Sequence, residues 1–189
     1  MDRAEDDEGY HRINRIITSA FWCKMRAKSE TSKQEILSGL AEVRSAILDE
    51  AGQLSPEKQD TVFLGIWSIK DLLAHLAGWD EANLEAVKAV LAGKLPAFYA
   101  QMDKDWKSYN AALVAKYKRE DFTELAALVC ASQRRLIAFL ETAPVESFSK
   151  DMGVRSHGYK VTIERLLQAE LKDEKMHLEQ IRDFKAKSK

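Results

Sequence analysis

Hydrophobic positions recur at spacings of three and four along most of the 189-residue chain, which is the period of a helix with one buried face. The clearest stripe predicts a helix from about Thr162 to Lys187. Its apolar positions are Ile163, Leu166, Leu167, Leu178, Ile181 and Phe184. Similar stripes predict helices over residues 10–28, 32–52, 68–93, 103–118 and 121–143, separated by short connections and an irregular segment over 146–160.

Capping residues support several of these boundaries. Ser32 with Glu35 and Ser68 with Asp71 have the spacing of capping boxes. Gly93 follows the last apolar position of its helix, where glycine commonly ends a helix. Long helices with a crossover connection predict an all-α fold, an antiparallel four-helix bundle. We expect residues 31–189 to form this domain, after a partly helical N-terminal extension over residues 1–30.

Composition narrows the partners and the compartment. A net charge of -1 gives no global attraction to nucleic acid or to an anionic membrane, so we expect neither as a partner. No apolar run approaches the ~20 residues of a membrane span, and the acidic start MDRAEDDEG is unlike a secretory signal. Cys23 and Cys130 lie too far apart for a metal-type pair. A cytoplasmic location is therefore expected.

Polar side chains interrupt the C-terminal stripe where a buried face should be apolar. They are Glu170, Asp173, Glu174 and His177. Asp173 and His177 are four residues apart, so their side chains share one helix face and can converge on one ion. His75 lies on the inward face of its own helix and is the candidate third ligand. Two imidazoles and one carboxylate suit zinc, nickel or iron(II).

Other interpretations remain open. His75 can be a hydrogen-bonded core residue, and Asp173 with His177 can be an intrahelical pair on a solvated face. The Glu-x-x-His motif of di-iron bundles occurs at Glu174–His177, but its second copy falls in the acidic start, so a di-iron site is not favoured. Trp79 shares a face with His75 and predicts an aromatic pocket wall together with Trp67, although core packing explains it equally well. Asp80 is the candidate for a substrate-orienting carboxylate.

The segment GIWSIKDLLAHLAGWDE resembles the signature of the DinB-like four-helix bundles, in their ClbS/DfsB branch. The matching residues are Trp67, Ser68, Lys70, Asp71, Ala74, His75, Leu76 and Trp79, and the resemblance covers about residues 32–185. Several members of this family hold a metal on three histidines. The resemblance implies that His75 and His177 occupy two of these places and that Asp173 occupies the third.

This resemblance favours a metal-dependent enzyme that handles a small molecule. A hydrolase or a thiol-dependent transferase with a role in detoxification or resistance is the leading hypothesis. Glu170 or Glu174 would then be the general base. The alternative is a non-catalytic bundle that sequesters a hydrophobic ligand, or a homodimer whose partner covers the polar face.

Overall fold

The computed structural model describes residues 30–187, except for the side chains of residues 102–104. The helix expected over residues 10–28, and with it nearly all of the N-terminal extension, lies outside the described residues. The elements in chain order are α1 (residues 30–52), α2 (Pro56–Asp60), α3 (Ile69–Leu91), α4 (Phe98–Tyr117), α5 (Phe122–Thr142), a 3₁₀ turn (Val145–Ser147), β1 (Arg155–Ser156), β2 (Tyr159–Lys160) and α6 (Ile163–Lys187). The predicted all-α class is confirmed.

The ends of α3 are set by the residues that the sequence indicated. The backbone N–H of Asp71 donates to the Ser68 hydroxyl (3.2 Å), and the Asp71 carboxylate accepts from the Ser68 N–H (2.9 Å). Two of the N–H groups that a helix start leaves unpaired are thereby satisfied. Gly93 follows the end of the helix with φ +69, a left-handed conformation that glycine adopts without a steric cost.

The start of α1 differs from the expectation. Ser32 is not a cap, because residues 30 and 31 are already helical. Its hydroxyl instead donates to the Glu164 carboxylate at 2.6 Å. The Ser-x-x-Glu spacing therefore coincides here with a tertiary contact between α1 and α6.

Four helices form a bundle in which two helices run in each direction; they are α1, α3, α5 and α6. α1 and α6 are parallel, because Ser32 contacts Glu164 at one end and Lys185 bonds Glu50 (2.6 Å) at the other. α5 is antiparallel to α1, since the Lys33 amine near the start of α1 bonds the Ala143 carbonyl just after α5 (2.8 Å). The predicted four-helix bundle is thus observed.

α3 completes the bundle and runs antiparallel to α6. Asn83 late in α3 bonds Glu170 early in α6 (2.9 Å), while His75 early in α3 lies near Asp173 further along α6 (3.9 Å). This antiparallel pairing brings the polar residues of α6 opposite His75.

α4 is the crossover helix and packs on α3. It begins at Phe98 rather than near Asp103, and its backbone breaks at Asp105 (φ -162, ψ 91). The Asp105 carboxylate accepts the N–H of Ser108 at 3.1 Å, so this residue caps a second helical segment. The expected start lies close to this internal cap. The turn that precedes it was not foreseen.

The segment expected to be irregular contains a short hairpin. Arg155 pairs with Lys160, and Ser156 pairs with Tyr159. His157 and Gly158 form the turn with φ values of 47 and 81, as a tight two-residue hairpin requires. The strands are short and mostly exposed, so no alternation of apolar and polar residues announced them.

The core consists of two apolar clusters, one at each end of the bundle. Their fully buried members include Leu40, Val87 and Leu140 in one cluster and Ile47, Leu72 and Ile181 in the other. Polar residues lie between them at the level of Asp80 and Glu174. Within residues 30–187, every helix falls short of the combined length and apolarity that crossing a bilayer requires.

Candidate functional site

His75, Asp173 and His177 come together between α3 and α6. One ligand atom from each residue lies within 4.8 Å of the other two. The Oδ2 atom of Asp173 is 3.2 Å from Nε2 of His177 and 3.9 Å from Nε2 of His75. Both imidazoles are buried, whereas the Asp173 side chain keeps 43% of its surface exposed. The site is therefore enclosed on the histidine side and open at the carboxylate.

The three groups shift one another's pKa. Burial raises the pKa of Asp173, but His177 and His75 more than offset this and hold it well below its usual value. Burial lowers the pKa of His177, yet the bond to Asp173 outweighs burial and the pKa is raised. For His75 burial dominates and the pKa is lowered. At neutral pH the site therefore pairs a carboxylate with a neutral His75.

The tautomer of His177 is fixed by Gln180. The Nδ1 atom of His177 lies 2.8 Å from Oε1 of Gln180, and an amide oxygen can only accept, so Nδ1 carries the proton. In neutral His177 the lone pair on Nε2 then faces the Asp173 carboxylate. Two acceptor atoms this close require a proton or a metal ion between them.

The donor set fits a divalent metal. Two imidazoles and a carboxylate are ligands that zinc, nickel and iron(II) accept. The observed separations of 3.2 and 3.9 Å bracket the distance between neighbouring ligands around a tetrahedral ion, about 3.4 Å for ligand bonds of ~2.0–2.1 Å. His75 faces this site through Nε2, whereas its Nδ1 is buried without a hydrogen-bond partner among the described residues and lies on the opposite side of the ring, so it is not part of the ligand set.

A cavity of about 350 Å³ opens beside these residues. Its aromatic lining consists of Trp67, Trp79, Phe98, Tyr99 and Trp106, and its polar lining consists of Asn83, Asn110, Glu170 and the three residues of the metal-ligand set. The Trp67 and His75 ring centroids are 4.7 Å apart, and the Trp79 indole donates to Asn110 at 3.1 Å. Both tryptophans singled out in the sequence thus line the cavity.

Glu170 is a buried carboxyl in the cavity lining. Its Oε2 accepts from the Asn83 amide at 2.9 Å. Burial, together with the nearby carboxylates Glu174 and Asp80, raises the pKa of Glu170 well above its usual value. A raised pKa favours the protonated form of Glu170, which is the opposite of what a general base needs.

Asp80 and Glu174 lie behind the cavity, on Arg44. The Arg44 guanidinium donates to both Asp80 oxygens (2.8 and 3.1 Å) and to both Glu174 oxygens (3.1 and 2.7 Å). Ser132 on α5 adds a hydrogen bond to Asp80 at 2.6 Å. This placement differs from the expected pocket position of Asp80 and from the expected access of Glu174 to substrate. Asp80 directly follows the cavity residue Trp79, and Glu174 directly follows the cavity residue Asp173. Successive side chains on a helix point about 100° apart, so Asp80 and Glu174 face away from the cavity.

Arg44 and Gln180 were not identified from the sequence. Arg44 lies on the apolar face of α1, four residues after Leu40 and three before Ile47. This position among apolar residues was the one feature of the sequence that indicated a buried arginine. Gln180 is three residues after His177, within reach along a helix, but such pairs are too common to indicate a site.

The chain is similar to known proteins both in sequence and in fold. The model of the DinB superfamily matches residues 40–181. A crystal structure of the colibactin self-resistance protein ClbS in complex with a dsDNA has the same fold, with a TM-score of 0.66 and 16% identity over 81% of this chain and 94% of that chain. An uncharacterised protein from Escherichia coli UTI89 gives a TM-score of 0.64 and 16% identity over 82% of this chain and 94% of that chain.

No curated protein gives a significant sequence match. The dsDNA in the ClbS crystal contrasts with the expectation, drawn from net charge, that nucleic acid is not a partner. At 16% identity this likeness shows the fold alone. The family follows from the match over residues 40–181: this chain belongs to the DinB superfamily.

Proposed function

We propose that this protein processes a reactive small molecule in the aromatic cavity, with a divalent metal held by His75, Asp173 and His177. The observation that carries the proposal is the convergence of these three residues at one side of a cavity with aromatic walls. Convergent polar groups beside aromatic walls are the usual make-up of a small-ligand site.

His75 and His177 would bind the ion through imidazole nitrogens and Asp173 through its carboxylate. Zinc, nickel and iron(II) are the candidate ions. When bound, such an ion supplies Lewis-acid chemistry, polarising an electrophilic group or lowering the pKa of water. Gln180 accepts the Nδ1 proton of His177 and so keeps Nε2 directed at the site.

Glu170 is the proposed proton donor of the cavity. Burial beside other carboxylates raises its pKa well above the usual value, and Asn83 fixes its orientation. A neutral carboxylic acid can give its proton to a leaving group that becomes negative. Glu174 is instead assigned a positioning role, because both its oxygens are held by Arg44.

A role in resistance or detoxification is supported by the fold. The neighbour ClbS is described as a self-resistance protein against colibactin, and the present chain shares its architecture over most of its length. The metal-ligand set and Glu170 line the cavity, and such groups favour a reaction with an electrophile over simple binding of it.

Turnover of electrophiles tests the proposal. The purified protein is loaded with zinc, nickel or iron(II) and incubated with a panel of epoxides, activated esters and strained rings, with and without a low-molecular-weight thiol. Consumption beyond one equivalent that is lost in His177→Ala supports a metal-dependent enzyme. His157→Asn is the matched control, because His157 is an exposed hairpin residue in the left-handed region, which asparagine tolerates.

The competing function is non-catalytic ligand binding. It predicts saturation at one equivalent per chain and the same behaviour in His177→Ala. Sedimentation at several concentrations tests the homodimer in which a second copy covers the open side of Asp173.

The crystal of the ClbS neighbour with dsDNA motivates a second candidate, nucleic-acid binding. Fluorescence anisotropy of a labelled duplex tests it directly. Binding that falls steeply with added salt would support DNA as a partner.

A further inference from the structure

We infer that Asn110 on α4 is a specificity-determining residue of the aromatic cavity, and that its amide N–H group donates a hydrogen bond to an acceptor oxygen of the substrate. The inference deepens the proposed function, and it rests on that function only in taking the cavity as the substrate site. Three features carry it: the hydrogen bond that orients Asn110, the neutral lining of the cavity and the position of Asn110 beside the metal-ligand set.

Trp79 fixes the direction of the Asn110 amide. The indole Nε1 of Trp79 lies 3.1 Å from Oδ1 of Asn110. An indole N–H can only donate, so the atom of Asn110 that faces it must be the carbonyl oxygen. The amide nitrogen therefore occupies the other branch of the side chain, whatever the protonation state of the neighbouring carboxyls.

The N–H groups of Asn110 are available to a ligand. Asn110 lines the cavity, and its amide nitrogen has no hydrogen-bond partner among the described residues. The nitrogen is also accessible, because His75 Nδ1 is the one side-chain nitrogen or oxygen of the described residues that is buried without a partner. Asn83 differs, since its amide nitrogen already donates to Glu170 at 2.9 Å. Asn110 therefore offers a free donor in a fixed direction.

Neutral groups direct a ligand in most of this cavity. Its described lining contains neither lysine nor arginine, and its two carboxyls are Glu170 and Asp173. The raised pKa of Glu170 favours the neutral form, and Asp173 belongs to the metal-ligand set. Apart from the metal site, the cavity thus offers a ligand no charged partner. A few well-placed neutral donors and acceptors then fix the orientation of a substrate between apolar walls.

Asn110 lies close enough to the metal-ligand set to act on the same small molecule. The ring of Trp79, to which Asn110 is bonded, has its centroid 6.2 Å from that of His75. A ligand oxygen held by Asn110 therefore lies about one indole ring away from the metal-ligand set. The substrate class that fits is an otherwise apolar compound with a ketone, ester, amide or ether oxygen.

A pair of isosteric probes tests the inference. Acetophenone and α-methylstyrene have nearly the same shape, but only the ketone has an acceptor oxygen. The full-length protein, stripped of metal, is titrated into a dilute solution of each probe, and binding is followed by ligand-observed NMR. The measured quantity is the ratio of the two dissociation constants, ketone over alkene. The difference in hydrophobicity between the probes cancels when this ratio is compared between variants.

Two substitutions remove the donor in different ways. Asn110→Asp keeps an acceptor for the Trp79 indole, whereas Asn110→Leu adds no charge. Each should raise the ketone-to-alkene ratio about 5-fold, as the loss of one neutral hydrogen bond predicts. Gln101→Glu is the matched control, because it adds a negative charge at an exposed position of the same helix, and it should leave the ratio unchanged. A residue that only supports Trp79 would instead weaken both probes alike in Asn110→Leu.

The metal-free measurement separates this inference from the proposed function. A ratio in Asn110→Leu that stays close to the wild-type value overturns the inference, even if the protein binds zinc and turns over an electrophile, because a rise in Asn110→Asp alone is the effect of the added charge. Failure of the wild-type protein to bind acetophenone at millimolar concentrations overturns it as well. A raised ratio in both variants supports the inference even if no metal ever binds.

Discussion

The guanidinium of Arg44 donates to both carboxylate oxygens of Glu174, from Nε at 3.1 Å and from Nη2 at 2.7 Å, in the middle of the bundle. The same group binds Asp80 on α3, and Ser132 on α5 binds Asp80 in turn. All four bundle helices therefore meet at one arginine. Burial alone would lower the pKa of Arg44, but Glu174 and Asp80 outweigh it and raise the pKa, so the group stays charged.

Removing this arginine should destabilise the protein strongly. Arg44→Met leaves two buried carboxylates without their partner, and breaking a buried ion pair costs about 3–5 kcal/mol. Urea unfolding measures the loss. Lys88→Met is the control, because Lys88 and Glu85 form an exposed pair that contributes less than ~1 kcal/mol. Similar losses in the two variants would show that the network does not hold the bundle together.

Gln180 should control metal affinity without touching the ion. Gln180→Leu removes the acceptor of the His177 Nδ1 proton and releases the tautomer, so affinity for zinc should fall by about 10-fold. Gln180→Glu keeps an acceptor oxygen and should retain tight binding. Competition with a chromogenic chelator measures both. Equal affinity of the leucine and glutamate variants would mean that this hydrogen bond plays no part in the site.

Stability should depend on pH through Asp71. Burial raises the pKa of Asp71, but Lys118 and Ser68 more than offset it, so the pKa is lowered. A lowered pKa gives stability that is present above the unfolded value of about 4 and is lost as the pH falls through the folded value. Asp71→Asn should therefore cost up to about 1 kcal/mol at pH 7, because the amide loses the ion pair with Lys118. The difference from wild type should shrink below about pH 4.

Thermal or urea unfolding across this pH range checks the result. Asp183→Asn is a suitable control, because Asp183 is an exposed carboxylate of α6. A difference between wild type and Asp71→Asn that stays constant from pH 7 down to pH 3 would contradict the role of the ionised carboxylate.

A close approach at Gly78 should limit substitution beside the cavity. A Cβ atom there would lie 2.8 Å from Cβ of Leu113 on α4, whereas at Gly39 it would meet the flexible end of Leu171 at 2.9 Å. Gly78→Ala should cost about 1–3 kcal/mol through overpacking. Gly39→Ala should be close to neutral, since the clash is offset by about 0.5–1 kcal/mol of helix propensity. Equal stability of the two variants would show that α4 shifts freely on α3.

The sequence predicted the site residues that share helix faces. His75 and Trp79 on α3, and Asp173 and His177 on α6, are pairs four residues apart, and all four line the cavity. Helical periodicity is sufficient for such pairs, because it fixes the angle between their side chains. The convergence of α3 on α6 needed the bundle fold as well, which the capped helices and the family resemblance supplied.

The sequence did not predict the contents of the polar centre. Glu170 and Glu174 both interrupt one stripe, yet one faces the cavity and the other faces Arg44. The environment of each carboxyl depends on Arg44, a buried residue of another helix. Because arginine is rarely buried, the sequence did not indicate this partner. The internal cap at Asp105 and the hairpin at His157 were missed for a related reason, because turns leave no hydrophobic period.

Metal stoichiometry tests the central claim most directly. The full-length protein is stripped with a chelator and titrated with zinc, nickel and iron(II), and bound metal is quantified by elemental analysis after dialysis. We predict one ion per chain, loss of the site in His75→Ala and His177→Ala, and unchanged binding in the exposed control Asp183→Asn. If the wild-type protein retains no more of any of these ions than His177→Ala does, then His75, Asp173 and His177 do not form a metal site.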